Sequence, residues 1–199
     1  MARIVAAFLL LALPFQAQAW AADLSAQGWD RARWGMPGDE LQAVYGNRIK
    51  TLPNPMQFDQ VYAAHVLPDL ELAGSRFTAL FQMDRATDRL GQVLIERRRH
   101  YATIALFRRL EAELTGRHGP PCRRRDAPGE PADHAIAVLE RSWVRPSGAI
   151  HLTFLNFRND IPKRLVVRYH GRGRPDLMAA RAPMASPGTD NGTDTCPAS

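Results

Sequence analysis

The chain has 199 residues and a formal net charge of +6, with 45% hydrophobic and 23% charged residues. This length fits one domain, or two small repeats that share a core. The positive charge concerns solubility and long-range attraction to anionic surroundings, and it specifies neither a fold nor a partner.

The N-terminus has the pattern of a cleaved secretory leader. Arg3 supplies a positive charge, residues 4–13 form an unbroken apolar run, and Pro14 breaks that run. The small residues of Ala17-Gln18-Ala19 then suit a signal peptidase, and the run is too short for a permanent membrane helix. We therefore predict a signal peptide of residues 1–19, with Ala21 as a later alternative cut. No later segment has the apolar length of a membrane helix, so we expect a soluble mature protein, periplasmic or secreted.

The first half of the mature chain predicts one short helix and a β-meander. Pro37 occupies a first helical position, Asp39 and Glu40 follow in the first turn, and Gly46 ends the helix. Alternation of apolar and polar residues then predicts strands, and with their neighbouring runs these form an antiparallel meander. The predicted strands are residues 61–67, 76–83 and 90–97.

The second half repeats this order. Apolar residues spaced by three and four predict a helix that Thr103 caps and that ends before Gly119-Pro120-Pro121. These apolar residues are Ile104, Phe107, Leu110 and Leu114. A loop over 122–133 follows, and then strands over 135–143, 149–157 and 164–170. Residues 171–199 have no periodicity and few large apolar groups, which predicts a disordered tail.

The predicted fold class is α+β. The order helix, meander, helix, meander favours a two-layer arrangement of tandem αβββ units, each burying one helix face on a sheet. We expect a single domain over residues 23–170, with pseudo-repeats at about 34–99 and 102–170.

Two cysteines leave two alternatives open. A Cys122–Cys196 disulfide persists in an exported protein and stabilises it by about 4–5 kcal/mol in the chain-entropy model. The alternative is two thiols, in which case the arginines at 123–125 favour a Cys122 thiolate that acts as nucleophile or redox centre. No Cys-x-x-Cys motif or obvious base accompanies Cys122.

The sequence contains no recognisable catalytic, cofactor-binding or metal-binding motif. The histidines form no His-x-x-x-His cluster, the carboxylates are dispersed, and no nucleophile elbow or phosphate-binding glycine loop occurs. We predict that the protein is not an enzyme and holds no cofactor or metal. We also predict that its histidines are scattered and form no site. These histidines are His65, His100, His118, His134, His151 and His170.

Arginine-rich runs give a candidate anion-binding face. The chain has 26 basic residues, of which only Lys50 and Lys163 are lysines. If the second helix packs across the strand before it, guanidinium groups merge into one face that binds phosphate or carboxylate. The candidate residues are Arg97, Arg99, Arg109 and Arg124. The alternative is a solvated surface of an arginine-rich chain, and the few interleaved aromatics argue against a single-stranded nucleic-acid platform.

The segment Trp34-Gly35-Met36-Pro37-Gly38-Asp39-Glu40-Leu41, ending in Val44-Tyr45-Gly46, resembles a box near the mature N-terminus of small exported bacterial proteins. Their architecture is similar to that of the SmpA/OmlA lipoproteins and the β-lactamase-inhibitor proteins, both of which bind other proteins. This chain departs from SmpA/OmlA because it lacks a lipid-accepting cysteine near the cut. Physically, the box serves as an entry to the fold, with Trp34 buried and Gly35 at a tight turn.

The resemblance implies a non-catalytic, protein-binding role. We therefore expect a periplasmic module that binds an unknown envelope protein and no chromosomal nucleic acid. The alternative is a protein that binds an anionic envelope polymer or lipid headgroups through the arginine-rich face.

Overall fold

The computed structural model describes residues 27–97, 102–127, 135–145, 148–157, 163–171 and 196. The predicted signal peptide lies outside these residues, and so does the predicted tail except for residues 171 and 196. Within the described ranges, no helix is long and apolar enough to cross a membrane.

The described residues form helices α1 (Gly38–Tyr45) and α2 (Ile104–His118), a 3-10 helix at Gly46–Arg48, and the strands listed here. They are β1 (Gly28–Trp29), β2 (Ala32–Arg33), β3 (Lys50–Gln57), β4 (Val61–Leu72), β5 (Ser75–Asp84), β6 (Arg89–Glu96), β7 (Arg123–Ala127), β8 (Ala135–Arg145), β9 (Gly148–Phe157) and β10 (Arg164–Gly171). Strands β1 and β2 form a small hairpin, and the other eight form one sheet in the order β3-β4-β5-β6-β10-β9-β8-β7. All pairings in this sheet are antiparallel.

The mixed α+β class is confirmed, but the sheet dominates the structure and there is no clear two-layer αβββ repeat. Each helix is followed by four strands, whereas three were predicted. The strands that were not predicted are β3 and β7. Strand β3 contains Pro53 and Pro55, which have no N–H, and an edge strand tolerates such residues. Strand β7 lies within 122–133, where a loop was predicted. Its sequence begins with three arginines and has no alternation of apolar and polar residues that would predict a strand.

Strand β4 continues five residues beyond the predicted end at Leu67. Its register with β5 shifts between Leu67 and Leu70, and Asp69 has a φ of 55°. This irregularity is a β-bulge, which lets the strand bend through Pro68 instead of ending there.

The main hydrophobic core lies on one face of the sheet. Tyr45 of α1 and Trp29 of the β1–β2 hairpin both pack on Phe81, with ring centroids 5.1 and 5.9 Å apart. Phe107 of α2 packs against Phe154 of β9 at 6.3 Å. All these residues belong to one cluster, so α1, the hairpin and α2 share this face. A smaller apolar cluster lies on the opposite face, formed by Ala63, Val66, Leu80, Leu94 and Val166.

The Trp34-Gly35-Met36 box connects the hairpin to the sheet. Gly35 has a φ of 83° and donates its N–H to the Leu90 carbonyl at 2.8 Å, while the Leu90 N–H donates to the Met36 carbonyl at 2.9 Å. The Trp34 ring lies only 2.7 Å from where a Cβ atom on Gly171 would stand. These contacts agree with the predicted tight turn at Gly35, whereas Trp34, predicted to be buried, is half-buried against the core.

Candidate functional site

Helix α2 presents an unusual outer surface. The Thr103 side chain accepts the Leu106 N–H at 3.1 Å, which confirms the predicted cap. Ile104 was expected on the buried side, but Leu106 is buried and Ile104 is 47% exposed. It is the only exposed large hydrophobic residue among those the structure describes. Arg108 lies one helical turn further on, beside Arg109, and both are exposed.

The two arginines add uncompensated positive charge to this surface. Neither Arg108 nor Arg109 has an ion-pair partner among the described residues, whereas Arg117 in the last turn pairs with Glu113. Ile104 and Arg108 lie one turn apart on the same side of α2, and Arg109 lies about 100° further round the helix. We call these three residues the α2 patch.

A charged network beneath α2 fixes its position on the sheet. Glu111 accepts a hydrogen bond from Arg141 Nε at 2.8 Å and contacts Arg124 Nη1 at 3.1 Å. Arg141 also donates to both carboxylate oxygens of Asp126, at 2.5 and 3.3 Å. Its guanidinium lies 5.2 Å from the centroid of the Phe107 ring. The side chain of Arg141 thus links α2, β7 and β8.

Arg141 stays charged although it is buried. Burial lowers the pKa of a guanidinium, but the hydrogen bonds that Arg141 donates to Asp126 and Glu111 raise the pKa of Arg141 by more. The network is consequently a permanent ionic link under all conditions in which the two carboxyl groups are ionised.

The four arginines of the predicted anion-binding face have different surroundings. Arg97 follows β6, Arg109 lies in the α2 patch, Arg124 pairs with Glu111, and Arg99 lies outside the described residues. The condition for one merged face, packing of α2 across β6, is not met, because α2 packs mainly against β9. The run at 123–125 is a strand, so its side chains alternate between the two sheet faces. Anion binding by these four residues stays a prediction.

The cysteine pair is present as a disulfide. The Cys122 and Cys196 sulfurs are 2.01 Å apart and the Cα atoms 4.7 Å apart. The Val144 N–H donates to Cys122 Sγ at 3.3 Å, which ties the bond to β8. With both sulfurs bonded, Cys122 has no thiol to serve as a nucleophile.

The histidines are less scattered than predicted. His151 and His170 lie side by side on neighbouring strands, and Ser142 contacts His151. Sequence reasoning missed this group, although the register of a β9–β10 hairpin would have placed both imidazoles on one face. His100 and His134 lie outside the described residues. In the described part of the chain, no group of three or more His, Cys, Asp or Glu residues is arranged for a metal ion.

His65 connects α1 to the sheet. Its Nδ1 lies 3.3 Å from Thr51 Oγ1, and Thr51 in turn accepts a hydrogen bond from Gln42 of α1 at 2.7 Å. A Cβ atom on Gly38 would stand 2.7 Å from His65 Nε2, so the start of α1 rests directly on the imidazole.

We expect acidification to destabilise the fold through His65 and His118. Burial lowers the pKa of both, with Arg145 and Arg117 adding to the effect at His118 and Asp88 opposing it at His65. The unfolded chain therefore binds protons near pH 6.5 that the folded chain does not bind, and stability falls as the pH drops below that value. Each histidine contributes a slope of at most about 1.4 kcal/mol per pH unit.

Urea unfolding of the full chain and of the His65→Gln and His118→Gln variants at pH 7.5, 6.5 and 5.5 measures this effect. Each variant should lose less stability than the parent between pH 6.5 and 5.5. Identical pH profiles for parent and variants would show that neither imidazole is involved.

No known protein family, curated protein or solved structure matches the chain. The resemblance carried by Trp34-Gly35-Met36 thus stays a prediction, and function rests on the residues themselves.

Proposed function

We propose that the chain is an exported, non-catalytic protein that binds another envelope protein through the α2 patch. The proposal rests on the exposure of Ile104 near Arg108 and Arg109. Burying an isoleucine of this kind in a partner removes apolar surface from water, at about 25 cal/mol for each Å². Arginine is also enriched at interface centres, where its planar group pairs with carboxylates. The expected partner surface is a shallow apolar site bordered by Asp or Glu side chains.

Two features support export. The disulfide fits an oxidising compartment, because thiols in the cytosol are kept reduced. The leader pattern of residues 1–19 provides the route, with cleavage after Ala19 and release into the periplasm or medium.

The edges of the sheet are poorly suited to partner binding, which favours the helix surface. Strand β3 carries Pro53 and Pro55, which cannot donate hydrogen bonds to an added strand. Strand β7 at the opposite edge begins with three arginines. Prolines and charges on edge strands are common protection against strand addition.

Crosslinking in the cell envelope tests the proposal. A photoreactive residue replaces Ala105, next to Ile104, and captured proteins are identified by mass spectrometry. The Arg108→Glu/Arg109→Glu pair should reduce capture of a specific protein at least ~10-fold, because the reversed charges repel the partner's carboxylates.

Arg89→Glu provides the matched control, since Arg89 is exposed at the start of β6, away from α2. It should leave capture unchanged. Equal capture by the α2 variant and the control, or capture of lipid or glycan alone, contradicts the proposal.

A second candidate is binding of an anionic polymer or lipid headgroup near Arg97. The Nε–H of Arg97 is buried and has no hydrogen-bond acceptor among the described residues. A phosphate or carboxylate oxygen would supply that acceptor. Cosedimentation with vesicles of anionic phospholipid tests this candidate. Binding should weaken steeply with added salt and be lost in Arg97→Glu, whereas protein capture through α2 should persist in that variant.

A further inference from the structure

Three strands bring Ser142, His151 and His170 together on the sheet face opposite the helices. Ser142 of β8 is the register partner of His151 on β9. His151 in turn pairs with Arg168 of β10, so His170, two residues further along, is its diagonal neighbour on the same face. The flanking residues Trp143, Ile150 and Tyr169 all point into the main core. The backbone of a continuous sheet therefore fixes the relative position of the two imidazoles.

The two imidazoles meet through equivalent atoms. Their Nε2 atoms are 3.1 Å apart, and the ring planes differ by 6°. Because the ring centroids are further apart, at 5.2 Å, the rings meet edge to edge and are not stacked face on face. Each Nδ1 faces an oxygen atom, Ser142 Oγ at 3.0 Å for His151 and the Gly171 carbonyl at 3.2 Å for His170.

These oxygens determine where protons are held. A carbonyl oxygen only accepts, so His170 carries its proton on Nδ1 and, when neutral, has a lone pair on Nε2. The Ser142 hydroxyl either donates or accepts. When it donates to His151 Nδ1, the His151 Nε2–H bonds to His170. When it accepts from His151 Nδ1, both Nε2 lone pairs point into the same space, and a shared proton or a metal ion between them then relieves their repulsion.

We propose that His151 and His170 bind one divalent transition-metal ion through their Nε2 atoms. Two nitrogens bound to one ion at 2.0–2.1 Å lie about 3.3–3.4 Å apart in tetrahedral geometry and about 2.8–3.0 Å apart as neighbours in the square-planar geometry of Cu²⁺. The observed 3.1 Å lies between these two separations, and both imidazoles must rotate so that their lone pairs, which now point at each other, meet at one ion. Metal-binding histidines characteristically donate the other ring N–H to an oxygen, as the Gly171 carbonyl and Ser142 hydroxyl allow here.

The donor set selects the metal. Imidazole nitrogens suit Cu²⁺, Ni²⁺ and Zn²⁺, and affinities of nitrogen sites for divalent ions are greatest for Cu²⁺. Water completes the coordination. Metal binding requires that the His151 proton move from Nε2 to Nδ1, that the Ser142 hydroxyl rotate and that both imidazoles turn toward the ion. The same residues therefore hold a hydrogen bond without metal and form a metal site with it.

Arg168 sets a limit on the affinity. It is the register partner of His151 and is buried, and its positive charge opposes any cation at the pair. On the other side of His170, Gln92 bonds to Gln82 across β5 and β6, so the neighbouring side chains there are uncharged. Because both ligands are imidazoles and the neighbouring Arg168 is cationic, the pair favours the most strongly bound ion, Cu²⁺, over Zn²⁺.

Titration of the untagged full chain with Cu²⁺ in a non-coordinating buffer tests the site. Electron paramagnetic resonance should show one ion per chain with nitrogen hyperfine coupling. His151→Gln and His170→Gln should each weaken binding at least ~10-fold, and Ser142→Ala about 10-fold, because the serine only orients its imidazole. His118→Gln is the matched control, since it removes a histidine from α2, and it should bind like the parent.

Binding to the unaltered chain keeps the test independent of whether the variants fold. One equivalent of Cu²⁺ should selectively broaden the His151 and His170 imidazole resonances in nuclear magnetic resonance spectra and leave those of His65 and His118 sharp. The absence of a saturable site, broadening at other histidines, or an unchanged site in both His151→Gln and His170→Gln overturns the proposal.

Discussion

Reduction of the Cys122–Cys196 disulfide should lower the free energy of unfolding by about 4–5 kcal/mol. The bond joins residues 74 positions apart, so breaking it restores a large conformational entropy to the unfolded chain. On the folded side, the Cys122 N–H donates to the Ser142 carbonyl at 2.9 Å, which anchors the bond in β8. Urea unfolding with and without a phosphine reductant measures the difference.

Serine variants separate the loss of the crosslink from other effects of the reductant. The Cys122→Ser/Cys196→Ser pair should be as unstable as the reduced parent and should not respond to reductant. If the oxidised parent and the double variant unfold at the same urea concentration, the crosslink contributes nothing. Two titratable thiols in protein recovered from the envelope would contradict the bond itself and remove a main support for export.

The sequence predicted those elements whose residues have a clear period. The apolar spacing of α2 and the alternation of β5 are visible because most of the large apolar residues of each element lie on its core side. Strands β8, β9 and β10 were predicted within two residues of their observed bounds for the same reason. Sheet edges have no such pattern, because an edge strand such as β3 is exposed at most positions. Its prolines and polar residues prevent another strand from pairing with it.

The candidate sites were predicted less well, because they depend on register and on distant partners. The exposure of Ile104 results from its place as the first residue of α2, where the helical spacing alone assigned it to the buried side. Arg124 belonged to a predicted positive face, but Glu111 neutralises it after folding. His151 and His170 are 19 residues apart in sequence, and only the β9–β10 register makes them neighbours.

Replacement of Arg141 by alanine should destabilise the fold by about 3 kcal/mol, at the lower end of the range for breaking a buried ion pair. Its side chain is only 8% exposed, and its removal leaves the half-buried Glu111 with Arg124 as its remaining charge partner among the described residues. We use the lower end of that range because Asp126 is 59% exposed. Water solvates its carboxylate after Arg141 is removed. Thermal or urea unfolding measures the loss.

Two further variants show whether the charge or the packing of Arg141 is responsible. Arg125→Ala is the matched control on the neighbouring strand, since Arg125 is 36% exposed and contacts Glu140 at 3.5 Å, and it should change stability by less than about 1 kcal/mol. Arg141→Met combined with Glu111→Leu should recover most of the loss, because an apolar pair of similar volume needs no compensating charge. If the double variant is as unstable as Arg141→Ala, the network stabilises the fold by more than neutralising buried charges. Since Arg141 and Glu111 fix α2 to the sheet, that result would also predict weaker partner capture by the α2 patch.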